Sequence, residues 1–186
     1  MFGFLKTIFG DKKVKDIKEL QPYVEKVKTE YAKLPSLSND ELRERTNLLK
    51  IRIADHIQHE ENKIKELREK AANAETSIDD KESIFNEIEK QVKKIDDIIE
   101  EILEIILPEA FAIVKDTARR IKENTEIIVT ASQFDRDLSV KTELVTINGD
   151  KAIWKNSWSA AGMPVTWDMV HYDVQLMGGV VLHKGR

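Results

Sequence analysis

Hydrophobic residues repeat with seven-residue periodicity from residue 53 to residue 107, and this pattern constrains the fold of the chain most strongly. The repeat is interrupted once, at residues 76–80, where polar and acidic residues indicate a turn and a new helix start. Two long helices joined by a short turn bury their apolar seams by folding back on each other. The pattern therefore predicts an antiparallel coiled-coil hairpin. Its expected seam residues are Ile57, Ile64, Leu67, Ala71, Ala74 and Ile78, followed by Phe85, Ile88, Val92, Ile95, Ile99, Ile102 and Ile106.

The predicted hairpin is acidic. Residues 55–107 contain 16 acidic and 8 basic residues, a local charge of −8, whereas the net charge of the whole chain is −4. We interpret the hairpin as a solvated, rigid arm, because charge runs of this kind usually face water. A docking arm for a partner is the alternative, and no single residue of the sequence supports it. The overall charge also argues against a nucleic-acid-binding protein, which would rely on basic residues.

Composition excludes several other kinds of site. The 186 residues include no cysteine, so neither a disulfide framework nor a cysteine-based metal or redox site is expected. No apolar run reaches the roughly 18 residues that span a membrane. His56 and His59 lie three residues apart without a third ligand nearby, so a solvated pair is favoured over a metal site. No arrangement of catalytic residues is evident either.

The first 52 residues predict N-terminal amphipathic and linker helices. Residues 1–9 place aromatic and aliphatic side chains in one helical sector beside lysines, a pattern typical of binding to an anionic membrane surface. Packing on the same domain or on a second subunit is the alternative. Gly10 and Asp11 are expected to end this first helix. Ser38 and Glu41 form a capping-box pattern that begins the helix after Pro35.

Residues 125–168 predict a small β insertion. Asn148 and Gly149 stand between β-branched runs, which is the strongest short-range signal for a β-hairpin. The preceding run, residues 138–147, is expected to form a strand. We expect Trp154, Trp158 and Trp167 to act as the apolar anchors of this small element.

Three segments of the chain resemble the amino-terminal part of SecA, the motor ATPase family of preprotein translocation. They are LSNDELRERT at residues 37–46, LPEAFAIVKDTARR at 107–120 and YDVQLMGGVVLH at 172–183. The helical hairpin and the β insertion interrupt the usual family pattern, and the chain is similar to a branch of the family in which these segments are enlarged. The sequence has no glycine-rich loop ending in Gly-Lys-Ser/Thr, which would bind phosphates.

The resemblance assigns an adenine-recognition motif to residues 168–175. By position, Gln175 would hydrogen-bond adenine, since its amide both donates and accepts. Met169 and Tyr172 would supply apolar and aromatic contact, and Asp173 would order the turn. Val170 replaces an arginine of the family motif. The apolar run after Gly178–Gly179 is short enough to be a buried strand, the first of the motor domain.

The resemblance also implies a function for the longer protein. It implies ATP with magnesium as cofactor, and as partners the Sec translocon channel, unfolded preproteins and a second copy of the chain. It further implies a cytoplasmic protein held peripherally at the inner face of the cell membrane. We expect this chain alone to be inactive and not to bind ATP tightly. The alternative is a non-enzymatic coiled-coil interaction module with an amphipathic membrane-binding tip.

The sequence thus predicts an α+β fold with five segments. These are N-terminal helices (1–52), a helical hairpin insertion (53–107), a motor-domain helix (108–124), a β insertion (125–168), and the adenine motif with the first strand of a P-loop, RecA-like α/β domain (169–186).

Overall fold

A computed structural model describes the backbone of residues 3–185 and the side chains of residues 14–185. The described residues form a mixture of helices and small antiparallel sheets, which confirms the predicted α+β class at this level. The helices are α1 (Gly3–Tyr31), α2 (Asn39–Ala72), α3 (Ile78–Glu123), α4 (Gln133–Ser139) and α5 (Asp173–His183). The strands are β1 (Glu126–Thr130), β2 (Val145–Asn148), β3 (Lys151–Lys155), β4 (Ser157–Ala160) and β5 (Met163–Thr166).

The chain divides into two compact units. One comprises residues 1–45 and 108–186, and the other comprises residues 46–107. The first unit therefore contains α1, the first residues of α2, the C-terminal part of α3, α4, both sheets and α5. The second unit contains only the paired helical stretches of α2 and α3.

Two predicted helix boundaries are wrong. The helix predicted to end at Gly10 continues as α1 to Tyr31, because one glycine costs a helix only about 1 kcal/mol. The helix predicted over residues 108–124 is instead the C-terminal part of the 46-residue α3, which contains Pro108 in its interior. Tertiary packing stabilises the helix beyond this proline, since Ala112 and Asp116 are fully buried.

The capping box at the start of α2 is confirmed. The backbone N–H of Ser38 donates to Glu41 Oε2 at 2.7 Å, and the N–H of Glu41 donates to Ser38 Oγ at 3.2 Å. These reciprocal bonds satisfy two of the donors that a helix N-terminus leaves unpaired. The start of α2 is therefore fixed by its own local sequence.

Within the second unit, α2 and α3 run antiparallel. Lys94 Nζ lies 2.8 Å from Glu60 Oε1, and Lys63 Nζ lies 3.4 Å from Glu87 Oε1. The face of α3 that meets α2 agrees with the predicted seam only in part, because it shares every second seam position and shifts by one residue at the others. Four members of that seam are exposed instead, namely Ala74, Ile78, Phe85 and Val92. The physical reason is that α3 has apolar residues at neighbouring positions on two adjacent faces, so periodicity alone does not choose between them.

The three-stranded sheet has the order β1-β3-β2, and all neighbours are antiparallel. The predicted hairpin is confirmed as β2 and β3, in which Asn148 pairs with Lys151 and Gly149 adopts a φ of 61° in the turn. The expected strand over residues 138–147 is shorter, because residues 133–139 form α4. There the Ser132 side chain caps the helix and Asp135 reciprocates.

The three tryptophans have different environments. Trp154 packs against the buried cluster of Val129, Val145 and Ala152. Trp158 lies on β4 in a two-stranded sheet with β5, where it pairs with Val165 and is 37% exposed, so it is less buried than an anchor of the main cluster would be. Trp167 follows β5 and bonds to the loop before α5.

A partly buried ion pair connects α2 to the β insertion. Asp135 is fully buried, and its two carboxylate oxygens accept hydrogen bonds from the Arg43 guanidinium at 2.8 and 2.5 Å. Trp154 Nε1 donates to Asp135 Oδ1 at 3.1 Å, and the backbone N–H of Ser132 donates to Oδ2 at 2.8 Å. Burial by itself raises the pKa of Asp135, but the bonds from Arg43 and Ser132 outweigh it and hold this pKa below its usual value.

The segment after the adenine motif is α5 and not the predicted strand. Leu176 and Val180, four residues apart, are buried on one side of this helix. A Cβ at Gly179 would lie 2.8 Å from Phe111 Cζ, so only glycine permits this approach of α5 to α3. A Gly-Gly pair is thus compatible with a helix here because tight packing compensates for its low helix propensity.

The Arg43–Asp135 pair generates a stability prediction. Arg43→Met leaves a buried carboxylate without its cation, and we expect the free energy of unfolding to fall by about 3 kcal/mol at pH 7. Because the folded-state pKa of Asp135 is lowered, this contribution is present above about pH 4 and is lost as the pH falls further. Urea unfolding followed by tryptophan fluorescence measures the loss.

Lys33→Met is the matched control, because Lys33 forms an exposed ion pair with Glu30 in the same unit. We expect it to cost less than about 0.5 kcal/mol. Equal costs for the two variants at pH 7 would contradict a structural role for the Arg43–Asp135 pair.

The contact between α5 and Phe111 generates a second prediction. Gly179→Ala should destabilise the chain by about 1–3 kcal/mol, because the added methyl overlaps the Phe111 ring. Gly178→Ala is the control, since nothing lies within 4 Å of its added Cβ, and it should be neutral or stabilising by up to about 1 kcal/mol. Thermal unfolding compares them, and identical melting temperatures would show that α5 does not pack as described.

Candidate adenine site

The four residues assigned to the adenine motif lie together at the N-terminus of α5. Asp173 is the first residue of the helix, Tyr172 is its N-cap and Gln175 is its third residue. Met169 lies in the loop that precedes them. The structure therefore places all four predicted site residues around one helix terminus.

The Gln175 amide is exposed and held in one orientation. Its Oε1 accepts a hydrogen bond from the Tyr172 backbone N–H at 2.8 Å, and its Nε2 lies 3.6 Å from Met169 Sδ. The bond to the N–H identifies the oxygen end of the amide, because a backbone N–H cannot pair with the NH₂ end. An amide oxygen accepts two hydrogen bonds and an NH₂ group donates two, so both ends keep capacity for a ligand.

An exposed aromatic ring adjoins this amide. Tyr172 is 72% exposed, which is high for a large aromatic side chain. Met169 is half-buried, and its carbonyl accepts a hydrogen bond from Trp167 Nε1 at 2.7 Å. The sequence did not associate Trp167 with this loop. A buried indole N–H usually donates to a nearby acceptor, and this was the only feature of Trp167 that could have indicated its contact with the loop.

Contacts from α1 hold both ends of α5. Lys28 Nζ lies 2.8 Å from Asp173 Oδ2, and this bond, with a second from Glu25, raises the pKa of Lys28. At the other end, Lys184 Nζ lies 2.6 Å from Tyr23 Oη and 4.5 Å from the centre of the Tyr23 ring. Sequence reasoning missed the contributions of Tyr23 and Lys28, because about 150 residues separate them from α5 and no motif marks them.

Val170 and His171 lie between Met169 and Tyr172 in the loop. Val170 is half-buried and offers no charged group where the family motif has arginine. His171 Nδ1 is buried and has no hydrogen-bond partner among the described residues. The loop therefore presents an amide and an aromatic ring to solvent, a combination suited to the edge and the face of a planar base.

The part of the chain with described side chains shows no group of three or more His, Asp or Glu residues placed to hold a metal ion. His56 and His59 are exposed on α2. None of the described helices contains an apolar stretch of the length that a bilayer requires.

Comparison with known proteins gives a consistent result along the chain. The family model described as the SecA DEAD-like domain matches residues 5–186. The protein translocase subunit SecA of Parabacteroides distasonis is 51% identical over 183 residues, covering 98% of this chain and 16% of the relative. The SecA subunit of Phocaeicola vulgatus is 50% identical, with coverage of 98% and 17%. That of Christiangramia forsetii is 49% identical, with coverage of 98% and 16%.

No solved structure matches the chain. The chain spans about a sixth of the length of these curated relatives. The family model covers both insertions and the adenine motif, and identities near 50% extend over almost all of the chain. The chain therefore belongs to the SecA family and corresponds to part of its DEAD-like domain.

Proposed function

We propose that this chain supplies the adenine-recognition edge of the ATP site in a SecA-type preprotein translocase. The observation that carries the proposal is the oriented, exposed amide of Gln175 beside the exposed Tyr172 ring, in a chain of the SecA family. In the longer protein, ATP hydrolysis drives unfolded preproteins through a membrane channel. The described residues form the beginning of its RecA-like nucleotide-binding domain.

The orientation of the amide explains a preference for adenine. Adenine presents a donor at N6 beside an acceptor at N7, whereas guanine presents acceptors at both O6 and N7. Gln175 Oε1 is held by the Tyr172 N–H, so the amide offers its oxygen and its NH₂ group in a fixed order. That order suits adenine, whereas guanine would place one of its two acceptors opposite the amide oxygen in either orientation of the amide. Tyr172 and Met169 contact the face of the base, and Asp173 keeps α5 in place through Lys28.

Phosphate and magnesium binding involve other residues of the longer protein. This sequence contains no Gly-Lys-Ser/Thr loop, and charge-assisted bonds to phosphates contribute most of the affinity for nucleotides. The chain alone therefore binds ATP weakly and does not hydrolyse it.

The partners follow from the family. The protein acts at the Sec translocon with unfolded preproteins, as a peripheral protein on the cytoplasmic face of the membrane, and forms homodimers. Residues 1–9 contribute binding to an anionic surface, and their side chains lie outside the described residues. The alternative of a purely non-enzymatic coiled-coil module is not favoured, because the family match includes the adenine motif as well as the hairpin.

Replacing the amide tests the proposal. In the longer SecA-type protein, Gln175→Ala should weaken ATP binding about tenfold, because two base hydrogen bonds of about 1 kcal/mol each are partly lost. GTP binding should change little, so the preference for ATP should fall by a similar factor. Titration with fluorescent ATP and GTP analogues measures both affinities.

Gln133→Ala is the matched control, because Gln133 begins α4 and pairs only locally with Asp137. It should leave both affinities unchanged. An unaltered ATP preference in the Gln175→Ala protein would exclude Gln175 as the residue that recognises adenine.

A further inference from the structure

Helix α3 carries a second apolar surface outside its contact with α2. We call this surface the outer stripe; it consists of Ile78, Phe85, Val92 and Ile99, each seven residues after the last. Ile78 is 84% exposed, Phe85 59% and Val92 41%, and Ile99 is half-buried. At 1.5 Å per residue the stripe is about 32 Å long, which matches a helix of roughly six turns.

The contact with α2 uses a different set of α3 residues. They are spaced by four and three residues in alternation, and they comprise Ile84, Ile88, Gln91, Ile95, Ile98 and Ile102. Gln91 is buried there, and its Oε1 has no hydrogen-bond partner among the described residues. An unpaired buried acceptor costs about 1–3 kcal/mol. If α3 were rotated about its axis by one residue position, Val92 and Phe85 would be buried in place of Gln91 and Ile84. The observed packing instead buries the unpaired Gln91 and leaves the outer stripe exposed, which costs stability.

A helix with apolar residues on two faces packs against two neighbours. Within the described residues of the second unit, α2 is the neighbour of one face, and no helix covers the other. The outer stripe has the spacing of a coiled-coil seam. Its natural complement is therefore a third helix.

A row of carboxylates beside the outer stripe indicates which charge that third helix should carry. Glu82, Glu89 and Asp96 each follow a stripe residue by four positions, so they line the same side of α3. All three are exposed, although Glu89 forms an exposed ion pair with Lys93, and residues 55–107 as a whole have a charge of −8. We propose that the outer stripe is a docking site for a basic amphipathic helix of a partner protein, which completes a three-helix bundle with α2 and α3.

The charge distribution argues against other occupants. A second copy of this arm would bring the same carboxylates and a further charge of −8 to the interface. An anionic membrane would repel the row for the same reason. A helix with lysine or arginine beside its apolar seam gains both apolar burial and attraction to Glu82, Glu89 and Asp96.

A designed peptide pair tests the proposal on the whole chain. The basic probe is a 28-residue helix with leucine at the seam positions and lysine on both flanks, and its acidic twin has glutamate in place of lysine. Fluorescence anisotropy of the labelled peptides measures binding at low and high salt. We expect the basic probe to bind at least about tenfold more tightly than the twin, and salt to weaken it.

Two variants of the chain separate specific docking from general attraction to an acidic protein. Phe85→Ser with Val92→Ser should weaken the basic probe by at least about tenfold. Ser83→Ala with Asn86→Ala is the matched control, because both residues are exposed elsewhere on α3, and it should have no effect. Glu82→Lys, Glu89→Lys and Asp96→Lys together should abolish binding of the basic probe and create binding of the acidic twin, a reversal that unfolding cannot produce.

Three results would overturn the proposal. The first is binding of the basic probe that the Phe85 and Val92 substitutions leave unchanged. The second is self-association of the chain in sedimentation experiments that those substitutions abolish, since the stripe would then be a dimer contact. The third is binding of the chain to phosphatidylserine vesicles that depends on Phe85 and Val92, since the stripe would then contact lipid.

Discussion

The buried guanidinium of Arg120 joins the elements of the first unit. Its Nε donates to Asp116 Oδ2 at 2.8 Å, and its two terminal nitrogens donate to the Leu34 carbonyl at 3.0 Å and to Asn39 Oδ1 at 2.9 Å. Asn39 Nδ2 in turn donates to the carbonyl of Ile128 at 3.2 Å. One side chain of α3 thus fixes the turn between α1 and α2 and, through Asn39, the strand β1. A charge buried this deeply requires all of its partners, so these elements form together.

The position of residues 167–172, the loop of the candidate adenine site, depends on this arrangement. About two and a half turns before Arg120, α3 presents Phe111 to Gly179 of α5. Helix α1 supplies Lys28 to Asp173 at the start of α5. The β insertion contributes as well, because Trp167 at its end bonds to the carbonyl of Met169. An insertion that looks peripheral in the sequence therefore helps to shape the candidate site.

What the sequence could predict depends on how local each interaction is. The capping box of Ser38 and Glu41 and the turn at Gly149 were predictable, because each is complete within a few residues. The adenine motif rests on the resemblance to a family, and its assignment stays a prediction. The face of α3 that meets α2 was predictable only in part: Ile88 and Ile102 lie on it as expected, but Ile84 and Phe85 are both apolar and only three-dimensional packing selects one. The helical state of α5 and the Arg43–Asp135 pair depend on contacts between residues about 70 and 92 positions apart, and no local pattern encodes them.

Photoaffinity labelling of the longer protein tests the central claim most directly. The probe is 2-azido-ATP, which carries its reactive group on the base, with magnesium present and excess ATP or GTP as competitor. If residues 167–175 form the adenine edge, the labelled peptide includes Tyr172, and ATP suppresses labelling at far lower concentration than GTP does. Labelling confined to peptides outside this loop, with the loop unmodified at saturation, would contradict the assignment of Gln175 and its neighbours to the base.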